Sequence, residues 1–367
     1  MKILFVFNHP APYKVRLLNE LNKYFDLTVI FERNVNKDRQ NSFYFEKEYK
    51  FKTIEIKGIK LGNENFFSTG IKNHIKKNKY DLIIMNGYST FAEMMAINYL
   101  KKKHIPYCLY INGGIIKEKE SSLKKYIKTK YISGANFYLS PDENSNKYLS
   151  YYGADPTKIH NYTYSTIYQS EVLKQLLTSK EIDELKTKLN LDSCYKEIYI
   201  SAGQLIKRKN YFNLLKSWTK DKTKLLLIFG DGKQRKLMQN YINKNDINNV
   251  KLMGFCGRNT LFNYYKIANA FIFPSNEDIY GHVINEAMSQ GLPIISSKNI
   301  NSSKKLIKDG YNGLFLDDIS CSSVGKALDK VKDIKRENCL KIANKNTIEE
   351  MIQDHLRILN HWSKFVL

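Results

Sequence analysis

The chain has 367 residues, more than one ordinary core needs and comfortable for two domains. An apolar content of 43% excludes a disordered chain, and five cysteines, at positions 108, 194, 256, 321 and 339 with no C-x-x-C pair, signal neither a zinc site nor a disulfide framework. The formal charge of +23, from 59 basic against 36 acidic residues, favours anionic partners such as nucleic acid, acidic lipid head groups or nucleotide phosphates. "MKILFVFNHP" reads as a first buried strand: its apolar run is too short for a signal peptide, and no small-residue cleavage site follows. "YKVRLLNELNKYF" then has helical spacing, and "DLTVIFE" is a second strand. "DLIIMNGY" leads into the helical "TFAEMMAINYLKKK", "PYCLYINGG" is a further strand, and "ANFYLSP" precedes the helix "ENSNKYLSYYG".

A second cycle of strand and helix opens near residue 195. "EIYISAGQ" precedes "NYFNLLKSWTK", "KLLLIFGDG" precedes "KQRKLMQNYINKN", and "VKLMGF" precedes "NTLFNYYKIA"; "AFIFPS" and "PIISS" follow. Strand–helix alternation of this kind predicts parallel, doubly wound α/β sheets. The polar, helical stretch between the cycles is the expected hinge, residues 169–194. The expected domains are thus 1–168 and 195–345, with a carboxyl-terminal helix over 346–367 packing back toward the first domain. The longest apolar runs are strand-length, far short of the ~20 residues of a membrane span. A soluble, cytosolic protein is expected, or one lying on a membrane surface without crossing it.

Basic residues cluster in "IKNHIKKNKY" (71–80), "LKKKH" (100–104) and "KEKESSLKKYIKTKY" (117–131), all in the first 131 residues. No RNP-like strand, zinc finger or helix-turn-helix accompanies them, so nucleic acid is not an expected partner. Two readings of the charge stand: a basic face for an anionic membrane, or the joint rise of Lys, Asn, Ile and Tyr that AT-rich genomes produce.

One stretch departs from the rest. "NEDIYGHVINEAMSQGLPII", from Asn276, gathers Glu277, Asp278 and Glu286 around Gly281, between two apolar runs. In open α/β sheets, ligands bind beyond the carboxyl ends of the strands, where Asp278 and Gly281 would lie. Gly281 admits a close backbone approach, the amides of His282 and Val283 open a helix and suit an anion, and carboxylates accept hydrogen bonds from ribose or sugar hydroxyls. "SAGQLIKRKN" places Lys207, Arg208 and Lys209 after another strand, as cations that neutralise a diphosphate leaving group do. "FGDGKQ" and "MGFCGRN" add glycine turns at two more strand ends.

In order, "GQLIKRKN", "FGDGK", "MGFC", "DIYGHVINE" and "AMSQGLP" make residues 195–320 resemble glycosyltransferase family 4, retaining enzymes of the GT-B fold. The resemblance is looser over 1–168. It implies two Rossmann-like domains facing a central cleft, and a nucleotide-sugar donor, a UDP-sugar by expectation. It implies that Lys209 contacts the donor diphosphate, that Phe255 and its neighbours frame the base, and that Glu286 binds the ribose. Gly203, Gln204, Gly230, Tyr280, Gly281, His282 and Val283 complete the expected donor site. Lys209, Arg208, Asp278 and Glu286 are the expected catalytic set.

Two departures stand out. Gln204 replaces the family arginine, which makes Arg208 the candidate substitute. Asp278 replaces the first family glutamate and has Glu277 beside it as a rival for the transferred sugar. On the acceptor side, "NHPAPYKVRLLNEL" resembles the P-A-P-Y-[RK] opening of bacterial polysaccharide transferases, which nominates Pro10, Ala11 and Tyr13. His9 lies at the same strand end, and "LYINGG" puts Asn112 and Gly113 where many relatives carry a histidine. The expected function is retaining, metal-independent transfer of a sugar to a glycan on a lipid carrier, in bacterial surface polysaccharide synthesis at the inner face of the cell membrane. No cofactor is expected. A nucleotide-sugar epimerase of the same fold and a non-enzymatic anion-binding protein are the alternatives.

Overall fold

A computed structural model describes residues 1–33, 48–61, 65–117 and 119–362. Glu118 of the basic segment and positions 363–367 of the carboxyl-terminal segment lie outside the described residues. The chain divides into two compact units, residues 1–164 with 348–367, and residues 165–347.

In the first unit the strands are β1 (Lys2–Phe7), β2 (Asp26–Phe31), β3 (Lys52–Glu55), β4 (Ile59–Leu61), β5 (Asn65–Phe67), β6 (Leu82–Met85), β7 (Tyr107–Tyr110), β8 (Phe137–Ser140) and β9 (Ile159–Asn161). Among the described residues, seven form one parallel sheet in the order β3-β2-β1-β6-β7-β8-β9, and β4 pairs antiparallel with β5. The central strands are apolar at almost every position because helices cover both faces. Strand order reverses between β1 and β6, so the helices after these two strands diverge and leave the strand ends open.

Local chemistry starts the helices. Pro12 sits at the first position of helix Pro12–Leu21, where its missing N–H is harmless. Thr90 and Glu93 close a reciprocal capping box at the head of helix Phe91–Lys102. Helix Ile348–Asn360 buries Ile348, Met351, Ile352, His355, Ile358 and Leu359 along one stripe, and belongs to this unit. His355 packs beside the stacked rings of Tyr110 and Tyr162, at 5.7 and 4.9 Å, and burial holds its pKa down at about 4.

In the second unit the strands are β10 (Glu197–Ala202), β11 (Lys224–Phe229), β12 (Val250–Gly254), β13 (Ala270–Phe273), β14 (Ile294–Ser297) and β15 (Gly313–Leu316). They form a parallel sheet in the order β12-β11-β10-β13-β14-β15, reversing between β10 and β13. Both units are therefore doubly wound α/β layers.

The hinge expected over 169–194 is a correction. Leu173 N–H donates to Ser289 O at 2.8 Å and Gln290 Nε2 to Glu171 O at 2.9 Å. Ile182 and Leu185 of helix Ser179–Lys188, and Leu189 just after it, pack on the core of the second unit. Its polar surface made this helix look like a linker, but its apolar stripe fixes it. The boundary falls at Tyr164 and Ser165 instead, and the chain returns to the first unit after Thr347.

Candidate active site

The loops that follow β10, β11 and β12 are stitched to one another. Gly203 N–H donates to Phe229 O at 3.0 Å, Gly230 N–H to Gly254 O at 2.7 Å, and Leu205 N–H to Asp231 O at 2.9 Å. Gly230 has a φ of 119°, and a Cβ there would sit 2.0 Å from the Gly203 carbonyl oxygen, so only glycine allows the two backbones this approach. Beyond Gly203, the exposed Gln204 leads to a single 3-10 turn, Lys207–Lys209, before helix Tyr211–Lys216. The buried Tyr211 hydroxyl ties that helix back to Ala202 O at 2.7 Å. The basic turn is thereby fixed at both ends.

Its last residue is the centre of the site. Lys209 is only 8% exposed, its ammonium is ion-paired with Asp278, and it lies 4.7 Å above the Phe273 ring. Burial lowers its pKa, and Asp278 works against that shift. Arg208 Nη1 stands 3.6 Å from the other Asp278 oxygen and donates to Glu277 O at 3.2 Å. The Glu277 side chain is exposed, and its carbonyl is what the site uses. The two rival acids are thus treated differently: Asp278 is drawn in against two cations, and Glu277 faces solvent.

Asp278 is held from behind. It bridges to Ile300, Asn301 Nδ2 donates to Ile279 O at 3.0 Å, and Ser302 N–H donates to Tyr280 O at 3.1 Å. Gly281 has a φ of 97°, and a Cβ there would lie 3.0 Å from Ser302 Oγ and 3.2 Å from Phe273, so a side chain would disturb both. The Tyr280 ring is buried, 4.9 Å from the His282 ring, so Tyr280 serves as core. Helix Val283–Met288 then begins, its first amides lacking intrahelical partners. On it, Glu286 Oε1 accepts from Thr166 Oγ1 at 3.2 Å. Phe255, just past β12, is 51% exposed.

Sequence reasoning missed Thr166, Asn285 and Arg258. Buried Asn285 donates to Asn346 O at 2.7 Å and Ser165 Oγ at 3.2 Å, and Arg258 donates to Thr166 O at 2.8 Å. Asn285 and Arg258 hold the segment at which the chain enters this unit, of which Thr166 is part; they stand inside "DIYGHVINE" and "MGFCGRN", but nothing in the spelling marks this role. The two acids that follow β15 are engaged locally: Asp317 pairs with Lys298 at 2.7 Å, and Asp318 accepts from Ser320.

The acceptor-side candidates of the first unit sort into two groups. Pro10 and Ala11 are buried and set the start of helix Pro12–Leu21, while the Tyr13 hydroxyl accepts from that of Tyr164 at 2.8 Å inside an aromatic cluster. His9 and Asn112, half-buried, both reach a hydrogen-bonded network around Lys14, a residue sequence reasoning quoted within a motif and left unassigned. Gly113 directly follows Asn112. Behind the network lie two buried carboxyls: Glu32 Oε1 accepts from the Thr90 hydroxyl at 2.6 Å, and Glu93 Oε2 accepts from the backbone N–H groups of Ser89 and Thr90 at 2.7 and 3.1 Å. Burial, and then the Glu93 charge, push the Glu32 pKa up to about 8; burial likewise raises that of Glu93.

Comparison with known proteins follows this division. Residues 182–348 match the family model described as Glycosyl transferases group 1. An *Escherichia coli* UDP-Gal:alpha-D-GlcNAc-diphosphoundecaprenol alpha-1,3-galactosyltransferase is 34% identical over 122 residues, 31% of each chain. An uncharacterized 41.2 kDa protein in the cps region of *Klebsiella pneumoniae* is 24% identical over 77% of this chain and 80% of its own. The matches to three other curated relatives, among them an uncharacterized glycosyltransferase of *Methanocaldococcus jannaschii*, span 24% to 39% of those proteins' lengths. The Anabaena protein HepE, solved in complex with UDP-glucose, superposes with a TM-score of 0.75 at 16% identity, over 99% of this chain and all of its own. The likeness over the whole length, with two doubly wound sheets, shows the GT-B fold.

Proposed function

We propose, from the match of residues 182–348 to the family model of glycosyl transferases group 1, that the protein is a glycosyltransferase moving a sugar from a nucleotide-sugar to a glycan. The observation that carries the reading is the buried Lys209 ammonium, held by Asp278 and flanked by Arg208 at the carboxyl end of a parallel sheet. Breaking a sugar–phosphate bond throws negative charge onto the departing diphosphate, and prepositioned cations stabilise that charge most where water is excluded. An ammonium has three donors, so Lys209 can keep Asp278 and still meet a phosphate oxygen. Glu286 would accept from the ribose hydroxyls, and Asp278 would face the transferred sugar.

A UDP-sugar is the proposed donor, supported by the UDP-Gal in the *E. coli* relative's name and the UDP-glucose bound to HepE. A lipid-linked glycan of a surface polysaccharide is the proposed acceptor, supported by the diphosphoundecaprenol of the first name and the cps region of the Klebsiella relative. Transfer would retain configuration without a metal: the acceptor oxygen bonds to the anomeric carbon on the face the phosphate leaves, and its proton passes to the departing phosphate oxygen. Among the described residues no helix is long and apolar enough to cross a membrane. Docking on an anionic membrane surface is proposed through the first turns of helix Ser122–Ile132, where Lys124 and Lys125 flank exposed Leu123 and Tyr126.

The test is a thermal-shift screen of nucleotide-sugars with and without EDTA, since a ligand that binds only the folded state raises its stability with concentration. A UDP-sugar that stabilises the protein equally under both conditions is expected. Product anomers read by NMR then report configuration. No stabilisation by any nucleotide-sugar would defeat the reading, and donor turnover without acceptor would favour an epimerase.

A further inference from the structure

We infer that Thr166 is a positioning residue that sets the Glu286 carboxylate for the two neighbouring hydroxyls of a donor ribose, so that the site selects ribonucleotides over 2′-deoxyribonucleotides; the inference rests on the donor reading above. Glu286 lies in helix Val283–Met288, which follows β13 at the carboxyl end of the second sheet. Its Oε1 accepts from Thr166 Oγ1 at 3.2 Å, and no other side chain among the described residues bonds to this carboxylate. A glutamate side chain loses rotamer freedom when a ligand fixes it, and a partner that orders it beforehand removes that cost from binding. Thr166 is such a partner.

Thr166 is itself firmly held. Its carbonyl accepts from Arg258 Nη2 at 2.8 Å. Before it in the chain, the buried Ser165 hydroxyl donates to Asn346 O at 2.7 Å and accepts from Asn285 Nδ2 at 3.2 Å. After it, Ile167 is fully buried and its N–H donates to Ser165 Oγ at 3.0 Å. Asn285 and Glu286 are consecutive in the helix, and Ser165 and Thr166 are consecutive in the segment that meets it. Two adjacent side-chain pairs therefore fix the register of one element against the other. Asn285, 1% exposed, anchors the helix further through Asn346 O at 2.7 Å. The β-branch of a threonine stiffens its own side chain, so a fixed backbone here means a fixed hydroxyl.

The selectivity follows from counting donors and acceptors. A hydroxyl has one proton, and Thr166 gives it to Oε1. A carboxylate only accepts, with about four lone-pair sites on its two oxygens. Thr166 fills one of them, and Oε2 with the rest of Oε1 stays open to further donors. The two neighbouring hydroxyls of a ribose meet that pair, one for each oxygen. A 2′-deoxyribose keeps only one of the two, and leaves one oxygen without its donor.

The experiment is isothermal titration calorimetry of the full chain with UDP and with 2′-deoxy-UDP, and the observable is the ratio of the two affinities. The wild type should favour UDP about tenfold or more, the scale of one hydrogen bond to a charged group. Glu286→Ala should abolish the preference. Thr166→Ser keeps the hydroxyl and should keep the ratio. Thr166→Val keeps the shape without the hydroxyl and should weaken UDP roughly fivefold, the scale of one side chain left to be ordered by the ligand. 2′-Deoxy-UDP should weaken less, so the ratio falls. Should Thr166→Val fail to fold, Thr166→Ala decides by the same ratio. A ratio equal to the wild type's in the variant without the hydroxyl overturns the inference, whether both affinities fall together or neither changes, because a merely structural role would act on both nucleotides alike. A wild type that binds the two equally, or a preference that survives in Glu286→Ala, overturns it as well. Binding of neither nucleotide would refute the UDP-donor reading and the inference with it, whereas UDP binding with an unaltered ratio refutes the inference alone.

Discussion

The two units carry the same kind of sheet and use its strand ends in opposite ways. In the second, Lys209 and Arg208 converge on Asp278 over loops that glycines bring into contact. In the first, the buried Lys14 ammonium donates to the carboxamides of Asn8 and Asn86, and His9 and Asn112 each bond to one of those amides. Fixed charge suits a substrate part that develops negative charge as its bond breaks. The same architecture thus gathers charge in one unit and a carboxamide network in the other.

The sharpest way to break this comparison is to remove the charge. Lys209→Ala should lower turnover by on the order of 10²-fold or more, the usual loss for one preorganised contact to developing charge. Single-turnover assays with the donor identified by thermal shift check it, with circular dichroism as the fold control. Near-normal turnover in a folded Lys209→Ala protein would remove the cation from the mechanism. Arg208→Ala, exposed and further from Asp278, should cost less; a loss equal to that of Lys209 would make Arg208 the functional replacement for the arginine that Gln204 displaces.

Next in size is the pair of acids. Asp278→Asn strips Lys209 of its counter-charge inside the protein, whereas the Glu277 side chain is already in solvent. Asp278→Asn should cut transfer about tenfold or more, since breaking one side of a buried ion pair leaves the other uncompensated. Glu277→Gln should stay within about twofold, as surface changes do. The reverse ranking in steady-state assays would mean that Glu277 moves into the site when donor binds.

How much of this was legible in the sequence follows the same division. The strands of both sheets read clearly where apolar runs are buried on both faces, as in "ILFVF" and "LLLIF". β3, mostly exposed, and β9, only three residues long, gave no such run. That Lys209, Asp278 and Gly281 would stand at strand ends was readable, because charge and glycine there follow clear apolar runs. The hydrogen bonds of Asn8 and Asn86 were not, because asparagine is abundant in this chain and its partners depend on which way each amide turns. Lys14 stood inside a quoted motif, but nothing in its spelling says that the side chain is buried. The hinge over 169–194 failed for a related reason: Leu173, Ile182 and Leu185 are too sparse among polar neighbours to show that they reach a core.

A third test concerns the buried acids behind the Lys14 network. The Glu32 carboxyl titrates near 8 in the folded protein and near 4.5 when unfolded. Across that window the folded state holds a proton that the unfolded chain has released, so this group's stabilisation, present at low pH, is lost as pH rises through about 8. Glu32→Gln keeps the shape without titrating and should flatten the fall in thermal stability between about pH 5 and 8. An unchanged pH profile in Glu32→Gln would place the proton on Glu93 instead.

The smallest expected effect lies at the surface of the first unit. Helix Ser122–Ile132 was expected to present Lys124, Lys125, Lys128 and Lys130 as one basic face, but its lysines are not equivalent. Lys128 is turned inward, 2.6 Å from Glu120 and 3.1 Å from the Tyr152 hydroxyl, and its ammonium lies 4.7 Å over the Tyr152 ring. Lys124, Lys125 and Lys130 remain exposed, and Leu123 and Tyr126 beside them are 68% and 64% exposed. Each free lysine near an anionic surface contributes about 1 kcal/mol, screened once the Debye length falls to about 3 Å near 1 M salt. The protein should therefore sediment with anionic liposomes at low ionic strength, stay in solution with neutral ones, and be released by molar salt. Replacing Lys124, Lys125 and Lys130 with Gln should weaken sedimentation without changing nucleotide affinity, because these residues and the donor site belong to different units. Lys128→Gln should behave differently, lowering thermal stability by breaking its pair with Glu120 while leaving sedimentation nearly unaltered. Equal sedimentation on neutral and anionic liposomes would assign the charge of this helix to composition, and a Lys128→Gln loss as large as that of Lys124 would mean that the helix turns over when it meets the membrane.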